Sequence, residues 1–179
     1  GLDKLARVRN NVVLIHGQMT LYTDSLDYDR LYNVGYFFEG GRIVTTDNEM
    51  TSDWGEYRPE TKVAVFNYNV HMVSPAPPQQ TRTTLLTDTL YYNTDSKVAT
   101  IVGPTNMYTG GTEVYSDHGT FNTATRHATL VERPVLYNDN RNVTADSIFY
   151  DTAKGYSEVF GDIVYTDTIN RNMLMGEYA

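Results

Sequence analysis

One short pattern recurs along the chain and is clearest in TDTLYYN at residues 87–93. Polar and apolar residues alternate in it, which is the period of a β-strand with one buried face. Close copies are TDSLDYD at 23–29 and ADSIFYD at 145–151. Two further copies, SDWGEY at 52–57 and SDHGTF at 116–121, carry glycine in place of the aliphatic residue, and a degenerate sixth copy ends the chain. The chain is therefore built from repeated strand-forming units.

The aspartate of each copy gives the length of the repeat. Asp24, Asp53, Asp88, Asp117 and Asp146 are separated by 29, 35, 29 and 29 residues. The one longer interval contains the stretch SPAPPQQ at 74–80, which predicts a Pro-rich loop insertion of six residues. Aliphatic and glycine copies alternate, so the larger unit spans about 58 residues.

The order of residues inside each unit predicts two or three short strands per repeat. A small residue such as Ala64 or Ala99 is followed two positions later by an apolar one, Phe66 or Ile101, and polar turn residues separate the strands. We therefore predict an all-β fold with two walls that face each other across a core. The alternation predicts bulky residues on one wall and glycines that relieve crowding on the other.

The composition fits one strand-rich domain over residues 1–179. Hydrophobic residues make up 40% of the chain, and no run approaches the roughly 18 apolar residues of a membrane-spanning helix. A net charge of −8 opposes phosphate backbones, so we expect no nucleic-acid partner. The lack of cysteine excludes a disulfide scaffold and thiol catalysis. Since no signal peptide precedes the repeats, we expect the chain to be a fragment of a longer protein.

The recurring aspartates do not predict catalysis. An active site needs unlike residues in one cleft, whereas a repeat distributes like residues along a stack. We expect these aspartates to satisfy backbone N–H groups at strand entries or corners. His118 and His127 could face each other across a hairpin, but two imidazoles without a third ligand make a weak zinc site. We therefore predict no catalytic residue, no metal site and no cofactor.

The aspartate-led strands resemble the OstA/LptA-like proteins of lipopolysaccharide transport, especially the OstA-like proteins of the Bacteroides group. The matching stretches are LTDTLYY at 86–92, VTADSIFY at 143–150 and ATIVG at 99–103. The resemblance extends from about Val12 to Tyr178. It implies an open β-jellyroll, in which two antiparallel sheets of short strands face each other.

The resemblance also implies a function, that of a periplasmic, non-enzymatic protein of outer-membrane biogenesis, exported in a Gram-negative cell. Such a protein would bind or bridge lipopolysaccharide by holding the acyl chains of lipid A between its sheets. It would stack through edge strands on other bridge components or on copies of itself. By inference, in-facing residues of each repeat would line the groove. These are Leu26, Phe37, Phe66, Leu90, Ile101, Leu130, Ile148 and Val159.

Two alternatives to a lipid carrier stay open. In the first, the same in-facing residues fill a closed core, and the protein is a structural β-stack that assembles through its edge strands without lipid cargo. The second is a β-helix enzyme that uses some of the aspartates on a polysaccharide. It predicts coils of roughly 20 to 25 residues, which a period of 29 fits poorly.

Overall fold

The computed structural model describes residues 4–74 and 82–179, and within them every regular element is a β-strand. The predicted Pro-rich loop therefore lies largely outside the described residues. No helix that is long and apolar enough to cross a membrane occurs in the described part of the chain. The fifteen strands are β1 (Leu5–His16), β2 (Met19–Asp29), β3 (Val34–Val44), β4 (Glu49–Ser52), β5 (Trp54–Arg58), β6 (Val63–Ser74), β7 (Thr83–Asn93), β8 (Val98–Thr109), β9 (Thr112–Asn122), β10 (His127–Val131), β11 (Val135–Asn138), β12 (Arg141–Thr144), β13 (Ser147–Asp151), β14 (Tyr156–Asp167) and β15 (Asn172–Tyr178).

The chain forms one antiparallel meander in which each passage across the sheet, which we call a crossing, pairs with the crossings before and after it. Three strands are interrupted in the middle, so that β4 and β5, β10 and β11, and β12 and β13 are each two halves of one crossing. One 29-residue repeat is therefore a pair of long crossings, one in each direction. This confirms the all-β prediction and explains why the repeat contains two or three strands.

Each long crossing bends at its centre, and the repeated aspartates mark the bend. The pairing register shifts between Thr23 and Ser25, and again between Thr87 and Thr89, so Asp24 and Asp88 lie outside the ladder. Asp53 lies between β4 and β5 in the same way. The facing strands contribute residues with positive φ, such as Glu39 at 60° and Gly40 at 93°. These β-bulges form a row of corners, which divides the meander into two walls.

Side chains at fixed positions of the repeat define the two walls. We call the wall after the corner aspartates the tyrosine wall, because it buries Tyr57, Tyr92 and Tyr150, and the wall before them the methionine wall, because it buries Met50, Met72 and Met107. One continuous buried cluster contains residues of both walls. The structure is thus jellyroll-like, with two antiparallel halves around a common apolar interior.

The hairpins at the free end of the tyrosine wall confirm the predicted turn chemistry. The last residue of β7, Asn93, accepts the backbone N–H groups of Asp95 and Ser96 at 2.9 Å through its side-chain oxygen. Asn122 and Asp151 cap the next two turns in the same way. Such Asx-turns fix where each hairpin reverses, and they hold the repeats in register.

Candidate functional site

The eight predicted groove residues form one continuous row across the tyrosine wall. Cross-strand pairing runs from Leu26 to Phe37, through a glycine to Phe66, and onward to Val159 without a gap. The row crosses ten strand segments and is about 43 Å long at roughly 4.8 Å per strand. All eight side chains are buried, with exposed fractions of 6% or less. Whether they contact a lipid stays a prediction.

A second buried row lies beside the first and closer to the turns. It alternates large and small side chains, so that a tyrosine or phenylalanine stands next to an alanine or glycine on each neighbouring strand. Its central members are Tyr57, Ala64, Tyr92, Ala99, Phe121, Ala128 and Tyr150. Alternating large and small side chains interdigitate closely, and this packing leaves few rotamers open to each large side chain.

Sequence reasoning named no residue of the methionine wall as a groove residue. Its inner row runs across the whole meander and is buried at 1% or less in its middle. The central members are Leu21, Ile43, Met50, Met72, Leu85, Met107 and Val114. The sequence does contain their signal, because Leu21, Met50, Leu85 and Val114 each precede a repeat aspartate by three residues.

The repeat glycines relieve crowding, as predicted, but not on a separate wall. A Cβ on Gly55 would lie 2.2 Å from Cζ of Phe37, and one on Gly119 would lie 2.5 Å from the carbonyl oxygen of Thr129. Both glycines stand in the same row as Leu26 and Leu90, on the tyrosine wall. The prediction of aliphatic and glycine copies on opposite walls is therefore wrong. Every copy of the motif enters the same wall because consecutive copies are two crossings apart and run in the same direction.

The free turns of the two walls meet opposite the corners, and we call this line of contacts the seam. Asn48 of the methionine wall donates from Nδ2 to the hydroxyl of Tyr92 at 2.8 Å and to Oγ1 of Thr123 at 3.1 Å, both on the tyrosine wall. The hydroxyl of Tyr57 lies 2.7 Å from Nδ1 of His16 across the same line. A cavity of about 280 Å³ adjoins this last pair. Each of these hydrogen bonds across the seam is made by side chains of the described residues.

Arg126 extends the seam to the end of β6 and the start of β7. It belongs to the tyrosine wall, and its guanidinium donates to Oγ of Ser74 at 2.9 Å and to Oγ1 of Thr83 at 3.0 Å on the methionine wall. The ring of Phe121 lies under the guanidinium at 6.0 Å. Burial lowers the pKa of Arg126 and raises the pKa of Tyr92, whose hydroxyl is also held by Thr123 and Asn48. Burial penalises the charged form of both groups, which is the expected effect of an apolar interior.

The end of the meander near β15 is more open than its middle. A cavity of about 380 Å³ lies between the walls there, and Val143, Val159, Ile163 and Leu174 are among the residues that line it. Leu174 is 65% exposed, although it occupies the inner row of the methionine wall next to Tyr165. The apolar interior thus reaches solvent at this end.

The structure places the repeated aspartates at the corners, as predicted, but they do not share one backbone-capping role. Asp24 accepts the backbone N–H of Asn11 at 3.0 Å, whereas Asp53 accepts the side-chain amide of Asn69 and Asp146 faces the guanidinium of Arg133. The corner position itself is set by the bulge. The prediction that the aspartates satisfy backbone groups therefore holds for Asp24 but not for the other two.

The two histidines that could have faced each other across a hairpin, His118 and His127, do not. His127 pairs with Asn122 and His118 with Val131, so they lie at opposite ends of the hairpin between β9 and β10. His118 contacts Glu132 at 2.7 Å, and His127 lies 3.6 Å from Asp151. Within residues 4–74 and 82–179 no three acidic, histidine or cysteine side chains are grouped so that they could hold a metal ion.

Comparison with known protein families gives one match. The sequence model of the family described as OstA-like protein matches residues 1–78 and again residues 78–146. The chain belongs to the OstA-like protein family. The two matched segments meet at residue 78, in the Pro-rich stretch.

The chain was also compared with solved structures and with curated proteins. One similar structure is LptH from Pseudomonas aeruginosa, described as the LptA homologous periplasmic component of the conserved lipopolysaccharide transport device. The two chains share 9% sequence identity and a TM-score of 0.38, over 88% of this chain and 93% of LptH. No curated protein matches the sequence.

Proposed function

We propose that this OstA-like protein is a periplasmic carrier that binds lipopolysaccharide and holds its acyl chains between the tyrosine wall and the methionine wall. The observation that carries the proposal is the pair of continuous apolar rows, one on each wall, which run the length of the meander and face a common interior. A linear apolar interior suits several parallel acyl chains better than it suits a compact ligand.

The energetics of such a carrier need no catalytic group. Each methylene that moves from water into an apolar interior contributes roughly 0.8 kcal/mol. Methionine has flexible, polarizable side chains that repack around ligands of different shape. Met50, Met72 and Met107 are consecutive or nearly consecutive members of one inner row, so this wall has the more adaptable surface. The protein is accordingly proposed to be a binding protein and not an enzyme.

Photocrosslinking on the two neighbouring strands β7 and β8 tests the proposal. A photoreactive phenylalanine analogue at Leu90 or Ile101 lies on the inner row, while the same analogue at Thr100 lies on the exposed face of the wall. Incubation with purified lipopolysaccharide followed by irradiation is expected to label positions 90 and 101 and to leave position 100 unlabelled. If no inner position forms a crosslink, the protein does not hold acyl chains.

The partners in this proposal are lipopolysaccharide and, through the edge strands, other bridge components or further copies of the chain. Among the described strands β1 pairs only with β2 and β15 only with β14, so each leaves one side of its ladder open. All seven residues of β15 are exposed, including Met173 at 59%. Open, apolar edge strands of this kind pair readily with another chain.

The second candidate function, a structural β-stack without lipid, is favoured by the burial of the inner rows. It predicts oligomers that grow with concentration in light scattering and an interior that takes up no lipid. Proline at Val13 in β1 or at Met173 in β15 removes a ladder donor, so it is expected to abolish that assembly. Loss of assembly with lipid crosslinks intact at Leu90 would separate the two functions.

A further inference from the structure

The closed interior raises the question of how an acyl chain reaches it. Leu85, Leu90, Met72 and Phe66 are all fully buried in the middle of the two walls. An acyl chain can contact these side chains only after the walls have moved apart. The position of that movement follows from how the walls are joined.

Within residues 4–74 and 82–179 the two walls are joined covalently at the corners. At the corners, continuous strands such as β2, β7, β8 and β9 pass from one wall into the other, so this side cannot open without breaking strands. On the opposite side the walls meet at the seam, through the contacts of His16 with Tyr57, of Asn48 with Tyr92 and Thr123, and of Arg126 with Ser74 and Thr83.

We propose that the seam is a latch that opens to admit acyl chains, while the walls turn about the row of corner bulges. This inference rests on the proposed carrier function and adds the route by which cargo enters. The corners suit a hinge because their register shifts leave residues outside the ladder, as at Asp24 and Asp88. The strands can therefore change their bend there without losing the paired segments on either side.

The chemistry of the seam suits a contact that breaks and reforms. Its partners are hydroxyl, amide, imidazole and guanidinium groups, all of which water solvates well when the walls separate. In the closed seam the Oδ1 atom of Asn48 is buried and has no hydrogen-bond partner among the described residues. When the seam opens, water can hydrogen-bond to the Oδ1 atom of Asn48. This offsets part of the free energy that is lost when the other hydrogen bonds of the seam break.

The seam also ends where the interior is already open. Arg126 is the last residue toward β15 whose side chain joins the two walls by a hydrogen bond within residues 4–74 and 82–179. Beyond it lies the cavity of about 380 Å³ near Leu174. The latch therefore holds the part of the jellyroll that is closed, and opening it would extend the existing cavity along the inner rows.

The natural lack of cysteine allows a direct test, since introduced cysteines are the only thiols. Asn48 and Thr123 are short side chains that already meet across the seam at 3.1 Å. The variant N48C/T123C, bridged by a short reducible thiosulfonate crosslinker, fastens the two walls together. The control T100C/T120C takes the same reagent on two exposed, paired residues of the tyrosine wall alone.

The readout is the rate of lipopolysaccharide crosslinking to a photoreactive residue at Leu90. The bridged seam is expected to slow capture at least tenfold, and reduction of the crosslinker is expected to restore it. Bridging of the control pair is expected to change the rate less than twofold. Equal capture with the seam bridged and reduced would overturn the latch while the carrier function stands. If neither the reduced variant nor the unaltered chain captures lipopolysaccharide, the carrier function itself fails, and the latch with it.

A second variant keeps the test informative if the cysteine pair does not fold. Tyr57→Phe combined with Tyr92→Phe removes two seam hydroxyls and keeps both buried rings. This double variant is expected to capture lipopolysaccharide severalfold faster than the unaltered chain, because fewer contacts must break. An unchanged rate in a folded double variant would contradict the latch.

Discussion

The tyrosine wall and the methionine wall bury inner rows of similar length, but they fill space in different ways. The tyrosine wall alternates rings with alanine, and its repeat glycines Gly55 and Gly119 lie so close to Phe37 and Leu130 that no side chain fits. The methionine wall uses unbranched and aliphatic side chains, with no glycine in the central part of its inner row. The difference indicates a rigid wall facing an adaptable one.

The largest loss of stability is expected from a substitution at the most crowded position of the tyrosine wall. Gly55→Ala places a Cβ 2.2 Å from Phe37 and 2.5 Å from the carbonyl oxygen of Val65, so ring and backbone must both shift. We expect the free energy of unfolding to fall by about 3 kcal/mol, which urea denaturation measures. Gly176→Ala is the control, since Gly176 also lies in a paired strand but has nothing within 4 Å of its Cβ position. Equal losses in the two variants would contradict the packing account.

The next prediction compares the loss of stability from a substitution in the tyrosine wall with that from a substitution in the methionine wall. Phe66→Ala removes a fully buried ring that packs on Phe37 at 6.4 Å between centroids, and it is expected to destabilise by about 4 kcal/mol. Met72→Leu keeps the volume of its side chain and is expected to lose less than about 1.5 kcal/mol. Calorimetry on both variants checks the order. A larger loss from Met72→Leu would mean that the methionine wall is the more tightly specified.

A smaller effect concerns the seam and depends on pH. Tyr92→Phe removes the hydroxyl that Asn48 bonds, at a loss of about 1 kcal/mol near neutral pH. Burial raises the pKa of Tyr92 in the folded protein above that of the unfolded chain, near 10. The folded state therefore holds the proton more tightly, and this part of the stability is complete below about pH 10 and is lost as the pH rises through the folded pKa.

The pH dependence is tested by the difference in the free energy of unfolding between the unaltered chain and Tyr92→Phe. Unfolding of the unaltered chain and of Tyr92→Phe is followed from pH 8 to pH 11, and the other tyrosines titrate in both. The gap in stability is expected to narrow above about pH 10, because only the unaltered chain loses the Tyr92 contribution. A gap that stays constant or widens would show that the Tyr92 hydroxyl is not shielded in the seam.

The smallest effect is expected on the solvent face of the methionine wall. Arg42 and Glu49 form a two-point ion pair at 2.9 and 3.2 Å, but both side chains are nearly half exposed. Because solvent screens such pairs, Glu49→Gln is expected to change the unfolding midpoint by no more than the error of the measurement. A clear loss of stability would contradict the view that the buried inner rows, and not the solvent face, determine the stability of the methionine wall.

The periodicity of the sequence predicted the tyrosine wall because Leu90 and Tyr92 alternate in phase with each other. It missed the methionine wall because the corner bulge changes that phase. In β7 the buried positions are Thr83, Leu85 and Thr87 before the corner, and Leu90 and Tyr92 after it. Counting backwards in twos from Leu90 would place Leu86 inside, yet Leu86 is 43% exposed.

The seam could not be predicted from the sequence for a different reason. Its contacts join residues 41 or more positions apart, and Asn48 reaches Thr123 across 75 residues. Nothing in the local pattern around Asn48 distinguishes it from an ordinary turn residue. The meeting of the two rows of turns depends on how sharply all the corners bend, which is a property of the whole meander and not of one repeat.

The central claim, that acyl chains lie between the two walls, is tested most directly on β7. This strand offers Leu85 on the inner row of the methionine wall and Leu90 on that of the tyrosine wall, while Leu86 and Tyr91 point to solvent at 43% and 42% exposure. A photoreactive residue is placed at each of the four positions, and crosslinking to purified lipopolysaccharide is measured. We predict strong crosslinks at 85 and 90 and none at 86 and 91. Crosslinks at the outer positions alone, or at none of the four, would contradict the account.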